Sequence, residues 1–584
     1  MTAVIDLLRL PARSGFSGAR LAIIATVMVL LGGVMIWRLV SLQVLEPERF
    51  LEYGESQRIQ SQELDAQRGA IVDRNGVELA VSTPRLSIYA DPRLVLDPAA
   101  TAAQIVAVAG GDPDQLERRL TNEGAQFAWM ARQLDDEMAA ELLALELPGI
   151  FSWEEQSRLT PAGGDVARGI LGRTDIDGIG TSGLEAQYDE VLTGEAGRVV
   201  VERGVVAEDG QPLTIPDGRF ELISPEAGDS LVLTLDRTVQ FEVENQLERA
   251  VAEAGANSGT VIVSRTATGE ILAMATVRRS DNGVVSVSGE NRALTWIAEP
   301  GSISKPIAIA ALLEEGLATP QTTVEITDSL EIYDVEYTDS IRHEQNVLNT
   351  GEVLAASSNV GVALLMNRIN DATFHSYLGR FGLGRATALD FPGESSGILH
   401  DVDNWSGVSK TQMAIGYEYA ATPLQMLRAY NVFANDGLLV EPHVVAGIRS
   451  PSGDIDIVSP REQNRVVSQE TADQMTSLLA GVVSEGGTGV LASVPGYEIA
   501  GKTGTAFIAQ PNGRYEDDNG DVRLLTSFAG YLPASDPELS IIVMIEDPEG
   551  DASGGRIAAP LFGEISNFAL QHFRIPPADA VGRQ

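Results

Sequence analysis

The sequence of 584 residues contains no cysteine, and this absence excludes several kinds of chemistry. Without cysteine the chain forms no disulfide, has no thiol nucleophile and offers no thiolate ligand to zinc. Histidine is also scarce: the five histidines are scattered, without an HExxH motif or a paired metal-binding spacing. We therefore expect no metal site and no catalytic cysteine.

Lysine is almost absent from a chain that is otherwise rich in arginine. Of the 41 basic residues only Lys305, Lys410 and Lys502 are lysines, and the other 38 are arginines. Arginine stays protonated in proteins, whereas a lysine loses its proton readily when it is buried or lies near another cation. A lysine in such a chain is therefore a candidate for acid–base chemistry.

Positive charge is scarce overall. The chain has 82 acidic residues against 41 basic ones and a formal net charge of −41. Nucleic-acid binding requires a basic surface that faces the phosphates. This charge balance argues against a nucleic-acid partner.

One uncharged segment near the N-terminus interrupts the soluble pattern. Residues 21–37 carry no charge, and the apolar run continues after Arg38 to Leu45. This length is sufficient to cross a hydrocarbon core of about 30 Å. We predict a transmembrane helix over 21–45. A cleavable signal peptide is the alternative, but the run exceeds a typical hydrophobic region of about 7–15 residues.

Basic residues set the orientation of this helix. Arg9, Arg13 and Arg20 precede the apolar run, with Asp6 as the single acidic residue. The positive-inside rule then places a tail over residues 1–20 in the cytoplasm and the bulk of the chain outside the membrane.

The rest of the chain divides into two folded regions. Residues 46–225 combine a hairpin signal at Asn75-Gly76 with a helical pattern over 95–148, which predicts an elongated mixed α/β domain. In residues 226–573, strand hairpins alternate with amphipathic helices, as in an antiparallel sheet flanked by helices. The predicted fold class is α+β, with residues 574–584 as a C-terminal tail.

A serine and a lysine in AEPGSISKP, residues 298–306, are spaced for nucleophilic catalysis. Ser302 and Lys305 lie at i and i+3, which places them on one face of a helix. A serine hydroxyl needs a base, and a lysine that is neutral for part of the time supplies one. Pro306 fits only in the first turn of a helix. Ser302 is therefore expected at a helix N-terminus, where backbone N–H groups stabilise an oxyanion.

A second stretch, AASSNVGVALL at residues 355–365, presents polar groups at the start of an apolar helix. Ser357 and Asn359 can offer a hydroxyl and an amide from one turn. The alternative is simple helix capping by Ser357 or Ser358.

A third stretch, IAGKTGTAFI at residues 499–508, has the composition of a strand that passes close to a ligand. Lys502 with Thr503 and Thr505 is a candidate site for a substrate carboxylate, and an ordinary edge strand is the alternative. In the order S-x-x-K, S-x-N, K-T-G, the three stretches form a signature of penicillin-binding proteins and serine β-lactamases.

The chain resembles the class B penicillin-binding proteins, and among them most closely the cell-division type, the FtsI family. The resemblance extends from the membrane helix to about residue 570. It is carried by RGAIVDRNGVELA (68–80), GIGTSGLE (178–185), EPGSISKP (299–306), SSNVGVALL (357–365), ATPLQMLRAYNVFANDG (421–437), GYEIAGKTGTA (496–506) and GGRIAAPLFGEI (554–565).

The resemblance implies a transpeptidase domain of the penicillin-binding and serine β-lactamase type, acting as a peptidoglycan D,D-transpeptidase in septal wall synthesis and inhibited by β-lactams. Ser302 would be the nucleophile that attacks the D-Ala-D-Ala amide of a donor stem peptide, and Lys305 the general base. Ser357 would relay a proton between Lys305 and Lys502, and Asn359 would bind the peptide backbone.

The resemblance also implies how the substrate is held. Lys502, Thr503, Gly504 and Thr505 would bind the terminal carboxylate, and the backbone N–H groups of Ser302 and Thr505 would form the oxyanion hole. No metal and no organic cofactor is implied.

The first folded region would be a pedestal that raises the site from the bacterial plasma membrane and contacts partners at the septum. The implied partners are a SEDS-type glycan polymerase and other division proteins. Seven residues match the pedestal motifs, with a structural or docking role: Arg68, Gly69, Asp73, Arg74, Gly180, Gly183 and Glu185.

Three positions depart from the family pattern. Ser304 replaces a bulky apolar residue before the catalytic lysine, which implies looser packing under the active-site helix. Thr160 stands where relatives often have tyrosine before proline. Tyr417 is not followed by the usual second glycine.

Other functions remain open on the sequence. An elongation-type transpeptidase shares the same motifs. A β-lactamase or carboxypeptidase would keep the fold, but no E-x-x-N stretch typical of class A β-lactamases occurs between Asn359 and Lys502. A non-catalytic division scaffold is the third alternative.

Overall fold

The computed structural model describes residues 17–41, 59–122, 124–161, 166–206, 212–214, 220–340, 345–458, 463–510 and 512–577. They fall into two compact units. The first unit comprises Met1–Ala66 and Glu195–Glu226, and the second comprises Gln67–Gly194 and Ala227–Gln584. These units do not follow the boundaries at 46, 225 and 573, which stay a prediction.

The strands up to residue 290 are β1 (Ile59–Leu64), β2 (Ile71–Val72), β3 (Glu78–Ala90), β4 (Ala128–Leu134), β5 (Ile150–Leu159), β6 (Arg173–Thr174), β7 (Gly180–Ser182), β8 (Gly197–Val206), β9 (Pro212–Thr214), β10 (Phe220–Ile223), β11 (Ser230–Leu233), β12 (Ser258–Arg265), β13 (Ile271–Arg279) and β14 (Val285–Val287). The later strands are β15 (Thr323–Ile326), β16 (Ser329–Ile332), β17 (Val335–Thr338), β18 (Asn346–Asn349), β19 (Leu438–Leu439), β20 (Val445–Arg449), β21 (Ile455–Ile457), β22 (Asn464–Arg465), β23 (Ala500–Phe507), β24 (Leu524–Leu532) and β25 (Leu539–Glu546).

The α-helices are α1 (Ser17–Val40), α2 (Pro98–Ala109), α3 (Pro113–Leu120), α4 (Asp136–Ala144), α5 (Arg168–Leu171), α6 (Gly183–Gln187), α7 (Asp189–Thr193), α8 (Arg237–Glu253), α9 (Arg292–Thr295), α10 (Lys305–Glu314), α11 (Thr350–Ala355), α12 (Asn359–Met366), α13 (Asp371–Arg380), α14 (Ser409–Ile415), α15 (Pro423–Ala434), α16 (Gln469–Val483) and α17 (Ala558–His572). Short 3-10 helices span Pro92–Leu94, Gly301–Ser304, Val402–Asn404 and Val490–Ala492.

The predicted membrane segment is helical. Helix α1 carries charge only at Arg20 and Arg38, and by length and composition it is able to cross a membrane. The end of the predicted span, beyond Ser41, lies outside the described residues, as do Arg9 and Arg13 of the preceding tail.

The first unit contains a four-stranded antiparallel sheet. Strand β8 lies at its centre and pairs with β1 and β10, with Leu64 opposite Gly197 and Ile223 opposite Arg198. Strand β9 pairs with the far end of β8. The valine-rich stretch 199–201 suits this central strand because β-branched residues favour extended backbone.

A seven-stranded sheet in the second unit joins early and late parts of the chain. Its order is β21-β20-β11-β2-β3-β4, with β5 also paired to β3. The hairpin predicted at Asn75-Gly76 connects β2 to β3. Strand β2 then runs parallel to β11, with Ile71 opposite Leu231. The two regions separated by sequence patterning therefore share one sheet.

The helical prediction over residues 95–148 is wrong in part. Helices α2, α3 and α4 occupy most of the range, but residues 128–134 form β4, which pairs with β3. Strand pairing overrides the local pattern there, because the buried side chains of Met130 and Leu134 pack against the apolar cluster under the sheet.

The predicted antiparallel sheet flanked by helices is confirmed. Its order is β14-β13-β12-β25-β24-β23, with every pair antiparallel. Alternate residues of β12 face opposite ways: Val261 and Val263 pack with α8 and α17, whereas Ile262 belongs to the core shared with α10 and α15. The sheet thus separates two cores and places β23 at its edge.

A buried ionic cluster joins three motifs of the early region. Arg68 Nε and Arg158 Nε donate to the two carboxylate oxygens of Glu185 at 2.8 and 2.7 Å. Arg68 Nη1 also donates to Asp189 at 2.7 Å, and Arg158 Nη1 donates to the carbonyl of Gly69 at 2.8 Å. The Arg68, Arg158 and Glu185 side chains are at most 9% exposed. This cluster therefore links Arg68 to Glu185, 117 residues later in the chain, and Arg158 to Gly69, 89 residues earlier.

Asp73 connects the hairpin turn to α8, and Arg74 connects it to the turn between β12 and β13. Asp73 accepts a hydrogen bond from the backbone N–H of Asn75 at 2.8 Å and from that of Arg237, at the start of α8, at 3.1 Å. Arg74 forms an ion pair with Glu270 at 3.5 Å. Both contacts fit the structural role that the resemblance implies.

Gly180 and Gly183 lie where two backbone segments touch. A Cβ added at Gly180 would fall 2.0 Å from the carbonyl oxygen of Glu185, and one at Gly183 would fall 2.6 Å from Gly172 Cα. Neither position accommodates a side chain, which agrees with a structural role for both glycines.

We predict that Glu185→Gln destabilises the chain strongly. The change leaves Arg68 and Arg158 buried without their shared carboxylate, and breaking a buried pair in this way costs about 3–5 kcal/mol. Thermal unfolding of the full chain in detergent micelles, followed by circular dichroism, should show a clear drop in Tm. Glu564→Gln, which breaks the exposed pair with Arg249, is the control and should change Tm little. Equal shifts would contradict this interpretation of the cluster.

Candidate active site

Ser302 and Lys305 lie at the start of one helix. Ser302 belongs to the 3-10 helix Gly301–Ser304, and Lys305 is the first residue of α10. Pro306 occupies the second helical position, where its missing N–H breaks no hydrogen bond. Lys305 keeps helical torsions, with φ −53° and ψ −37°, although a proline follows it. The serine hydroxyl thus stands at a helix N-terminus.

Lys305 is fully buried under this helix. Its Nζ donates to the carbonyl oxygen of Ser357 at 2.5 Å and to Ser357 Oγ at 3.2 Å. Loss of solvation lowers the pKa of Lys305 to about 7, and the nearby charge of Asp339 opposes this shift in part. This lowered pKa makes the neutral amine of Lys305 accessible near neutral pH.

Lys502 on β23 is buried in the same core. Its Nζ donates to the carbonyl oxygen of Thr503 at 3.0 Å, and the side chain has no exposed area. Loss of solvation, followed by the positive charge of Lys305, lowers the pKa of Lys502 well below its ordinary value. Two lysines therefore share one dry region beneath the site.

The second motif is fixed by a carboxylate that the sequence did not indicate. Ser358 caps α12 by accepting the N–H of Gly361 at 2.8 Å, so capping explains Ser358. Asp339 accepts from Ser358 Oγ and from the backbone N–H of Asn359, both at 2.6 Å. Ser357 has a left-handed φ of 58°. Asp339 lies about 20 residues before the motif, where no local pattern points to it.

Strand β23 approaches the 3-10 helix too closely for larger residues. A Cβ at Gly504 would lie 2.3 Å from Ser527 Oγ and 3.0 Å from Ile303 Cγ2. Gly301 has φ +59°, and its Cβ would lie 2.8 Å from that of Ala506. These glycines bring the third motif against Ser302. Gly504 therefore supports the site without lining it.

A cleft of about 530 Å³ brings the three motifs together. Of the predicted site residues, Ser302, Ser357, Asn359, Thr503 and Thr505 line it, and the two lysines lie beneath. The complete lining is Ser302, Ser340, Ser357, Asn359, Gly487, Thr488, Val490, Leu491, Thr503, Thr505, Ala552, Ser553, Gly555 and Arg556. The seven pedestal residues lie elsewhere.

Ser304 does not leave the loose packing that was expected. It is 1% exposed, and its hydroxyl lies in hydrogen-bond contact with the buried hydroxyl of Tyr419. Ser304 Oγ also donates to the carbonyl oxygen of Met413 at 3.3 Å, so Tyr419 acts as the donor in the hydroxyl pair. A large aromatic side chain thus fills the space that a small residue leaves under the active-site helix.

Glu418 occupies the position after Tyr417 where the family pattern has its second glycine, and it adopts the left-handed backbone that glycine favours. Its φ is 59°, and its N–H donates to Glu299 Oε1 at 2.9 Å. Tyr515 donates to the other oxygen of Glu299 at 2.7 Å. Burial raises the pKa of Glu299. The backbone strain at Glu418 is therefore offset by a contact with the segment that precedes the nucleophile.

Within the described part of the chain, no group of three or more His, Asp or Glu side chains is placed to hold a metal ion. The polar side chains that line the cleft are hydroxyls, the Asn359 amide and the Arg556 guanidinium, and the two lysine amines lie beneath it.

Comparison with known families now identifies this arrangement. Residues 259–567 match the Penicillin binding protein transpeptidase domain, and residues 63–232 match the Penicillin-binding Protein dimerisation domain. The chain belongs to the penicillin-binding proteins. Its two matched domains and its relatives assign this penicillin-binding protein to class B and to the transpeptidase enzymes, as predicted.

Relatives cover nearly the whole chain. Peptidoglycan D,D-transpeptidase FtsI of Escherichia coli K12 is 32% identical over 97% of this chain and 93% of its own length. Penicillin-binding protein PbpB of Mycobacterium tuberculosis is 33% identical over 88% of this chain and 78% of its own. The solved structure of Mycobacterium tuberculosis penicillin binding protein 3 with aztreonam aligns at a TM-score of 0.68, with 29% identity, over 88% of this chain and 98% of that one.

We predict that acylation by a β-lactam accelerates as pH rises through about 7. The sequence motifs predict Lys305 as the base, and the population of its neutral amine grows as pH passes the lowered pKa of about 7. The second-order acylation rate constant should rise about tenfold per pH unit below that value and level off about a unit above it. Because the two buried amines interact, the midpoint of the pH–rate profile is a property of the Lys305–Lys502 pair.

The measurement is stopped-flow or quenched acylation of the full chain in detergent between pH 5.5 and 9. Circular dichroism over the same range serves as the control for unfolding. A rate constant that is flat or falls with pH would rule out Lys305 as the base.

Proposed function

We propose that this penicillin-binding protein is a peptidoglycan D,D-transpeptidase that crosslinks stem peptides during septal wall synthesis through a serine acyl-enzyme. The observation that carries the proposal is that half-buried Ser302 lines the cleft three residues before Lys305, which is fully buried. The FtsI name of its Escherichia coli relative supports the division role.

Acylation begins when Ser302 Oγ attacks the carbonyl carbon of the penultimate D-alanine, and Lys305 Nζ takes the hydroxyl proton. The oxyanion of the tetrahedral intermediate accepts hydrogen bonds from the N–H groups of Ser302 and Thr505. Ser357 Oγ, 3.2 Å from Lys305 Nζ, passes its proton to the leaving nitrogen and takes in exchange the proton that Lys305 received. The C–N bond breaks, D-alanine leaves, and the peptide remains as an ester on Ser302.

Transfer reverses this sequence with a new nucleophile. An amine from a neighbouring stem peptide attacks the ester carbonyl, loses a proton to Lys305 and forms the crosslinking amide. The Ser302 oxygen leaves and regains its proton. The buried lysines suit this cycle because a neutral amine takes up a proton while the oxyanion is present to pair with the new charge, and gives the proton back when the intermediate collapses.

Helix α1 anchors the protein in the plasma membrane, with the N-terminus in the cytoplasm and the catalytic unit outside. The pedestal motifs then lie where a SEDS-type glycan polymerase and other division proteins can bind. The apolar composition of α1 and the FtsI-type relatives support this arrangement.

We predict a long-lived benzylpenicillin adduct on Ser302. The full chain in detergent is incubated with the drug and followed by intact mass over hours, with peptide mapping to locate the adduct. Ser302→Ala is the matched variant and should take up no mass. The physical reason is that the acyl ester persists when no water is activated for its hydrolysis.

Each outcome separates the alternatives. Absence of an adduct on the unmodified chain would favour a non-catalytic scaffold. An adduct that clears within seconds would favour a hydrolase of the β-lactamase or carboxypeptidase type. An adduct that persists in Ser302→Ala would place the nucleophile elsewhere.

We predict that depletion of the protein in its source bacterium blocks septation and yields filaments, because crosslinking at the septum stops while elongation continues. Expression of the native chain should restore division, and expression of Ser302→Ala should not. Rounded, swollen cells instead of filaments would indicate an elongation-type enzyme. Rescue by Ser302→Ala would indicate a scaffold.

A further inference from the structure

The third motif presents no accessible positive charge to the cleft. Lys502 is fully buried and donates to the carbonyl oxygen of Thr503, so its ammonium does not line the cleft. Thr503 and Thr505 do line it, but with neutral hydroxyls. The chain carries a net charge of −41, which opposes the approach of any anion. A cation from another element would therefore strengthen the binding of a carboxylate to these hydroxyls.

Arg556 supplies that cation. Among the described residues that line the cleft, it alone is charged, and its side chain is 64% exposed. Its loop lies directly against β23: Gly554 N–H donates to Thr505 Oγ1 at 3.1 Å, and a Cβ at Gly555 would lie 3.9 Å from Thr503 Cγ2. The Arg556 side chain therefore extends from a backbone segment that lies beside both threonines.

The partner of Arg556 in the unliganded chain is easily displaced. Asp551 forms an ion pair with the Arg556 guanidinium, and the Asp551 side chain is 86% exposed. Exposed ion pairs of this kind contribute little stability because both groups remain well solvated. An entering carboxylate can therefore replace Asp551 at the guanidinium.

We propose that Arg556 binds the terminal carboxylate of the donor stem peptide, and the carboxylate that a β-lactam presents in its place, together with the hydroxyls of Thr503 and Thr505. The guanidinium provides two parallel N–H donors that match a carboxylate. Thr505 Oγ1 accepts from Gly554 N–H and donates its own proton to the ligand. The inference rests on the proposed transpeptidase function and adds a binding residue to it.

The stem peptide offers a second carboxylate when its third residue is a dicarboxylic diamino acid. The terminal carboxylate is the ligand we assign to Arg556, because the Gly554–Arg556 segment contacts the two threonines of the third motif. Binding of the third-residue carboxylate is the competing source that the experiment must separate.

The first measurement compares benzylpenicillin with its methyl ester on the full chain in detergent. Arg556→Gln should lower the second-order acylation rate constant for the acid by about 10- to 100-fold, the effect of losing a charge-assisted hydrogen bond. The ester, which has no carboxylate, should be unaffected. Arg556→Lys should retain part of the preference for the acid.

Arg249→Gln is the matched control. Arg249 is a similarly exposed arginine, 58% accessible, in an ion pair with Glu564 between α8 and α17. The Arg249→Gln change removes one positive charge from the same unit without altering the cleft. The acylation rate constants for the acid and for the ester should therefore stay within twofold of those of the unmodified chain.

The second measurement identifies the carboxylate in peptides. Donor pentapeptides are compared as terminal acid and terminal amide, and separately with a third-residue carboxylate or carboxamide, by release of the C-terminal residue. Arg556→Gln should abolish the preference for the terminal acid and leave the third-residue preference unchanged.

Three results would overturn the assignment: an equal loss of rate for acid and ester, no loss for either, or a loss of the third-residue preference instead. Acylation of the unmodified chain at Ser302 with any of these results would leave the transpeptidase proposal intact. Failure of the unmodified chain to be acylated at all would reject both.

Discussion

The burial of two lysines in one core is the constraint on which the rest of the site depends. Lys305 and Lys502 have no exposed area, and their amines contact carbonyl and hydroxyl oxygens. An ionised ammonium in such surroundings costs several kcal/mol, whereas a neutral amine needs only hydrogen-bond partners. The neutral form of both amines is therefore favoured for as long as the surrounding side chains keep the two lysines buried.

Sequence patterns predicted those parts of the fold that depend on neighbouring residues. The Asn75-Gly76 hairpin and the strand hairpins and amphipathic helices after residue 226 follow from turn chemistry and periodicity. Strand β4 could not be found in this way, because its pairing with β3 decides its conformation. The parallel contact of β2 with β11 was equally hidden, since no local signal joins residues 160 positions apart.

The active-site residues likewise fall into two groups, those that local motifs predict and those that only long-range contacts bring into place. Short motifs pointed to Ser302, Lys305 and Lys502, because each motif combines a reactive side chain with the turn or strand that presents it. Asp339 carries no motif, and its role depends on β17 ending beside the start of α12. The charge of Arg556 likewise gains meaning only when its loop lies against β23. Asp339 and Arg556 reach the site through contacts between distant parts of the chain, which sequence periodicity does not encode.

The pairing of β12 with β25 sets the order in which the chain can fold. Val261 lies opposite Val543, so the centre of the catalytic sheet joins residues separated by 282 positions. At synthesis rates of about 5–20 residues per second, roughly 15–55 s pass between the two strands. The β12–β13 hairpin exposes an unpaired apolar edge during that interval, a state prone to aggregation. The catalytic core therefore closes only after nearly the whole polypeptide has been made, and shielding of that edge becomes part of producing an active enzyme.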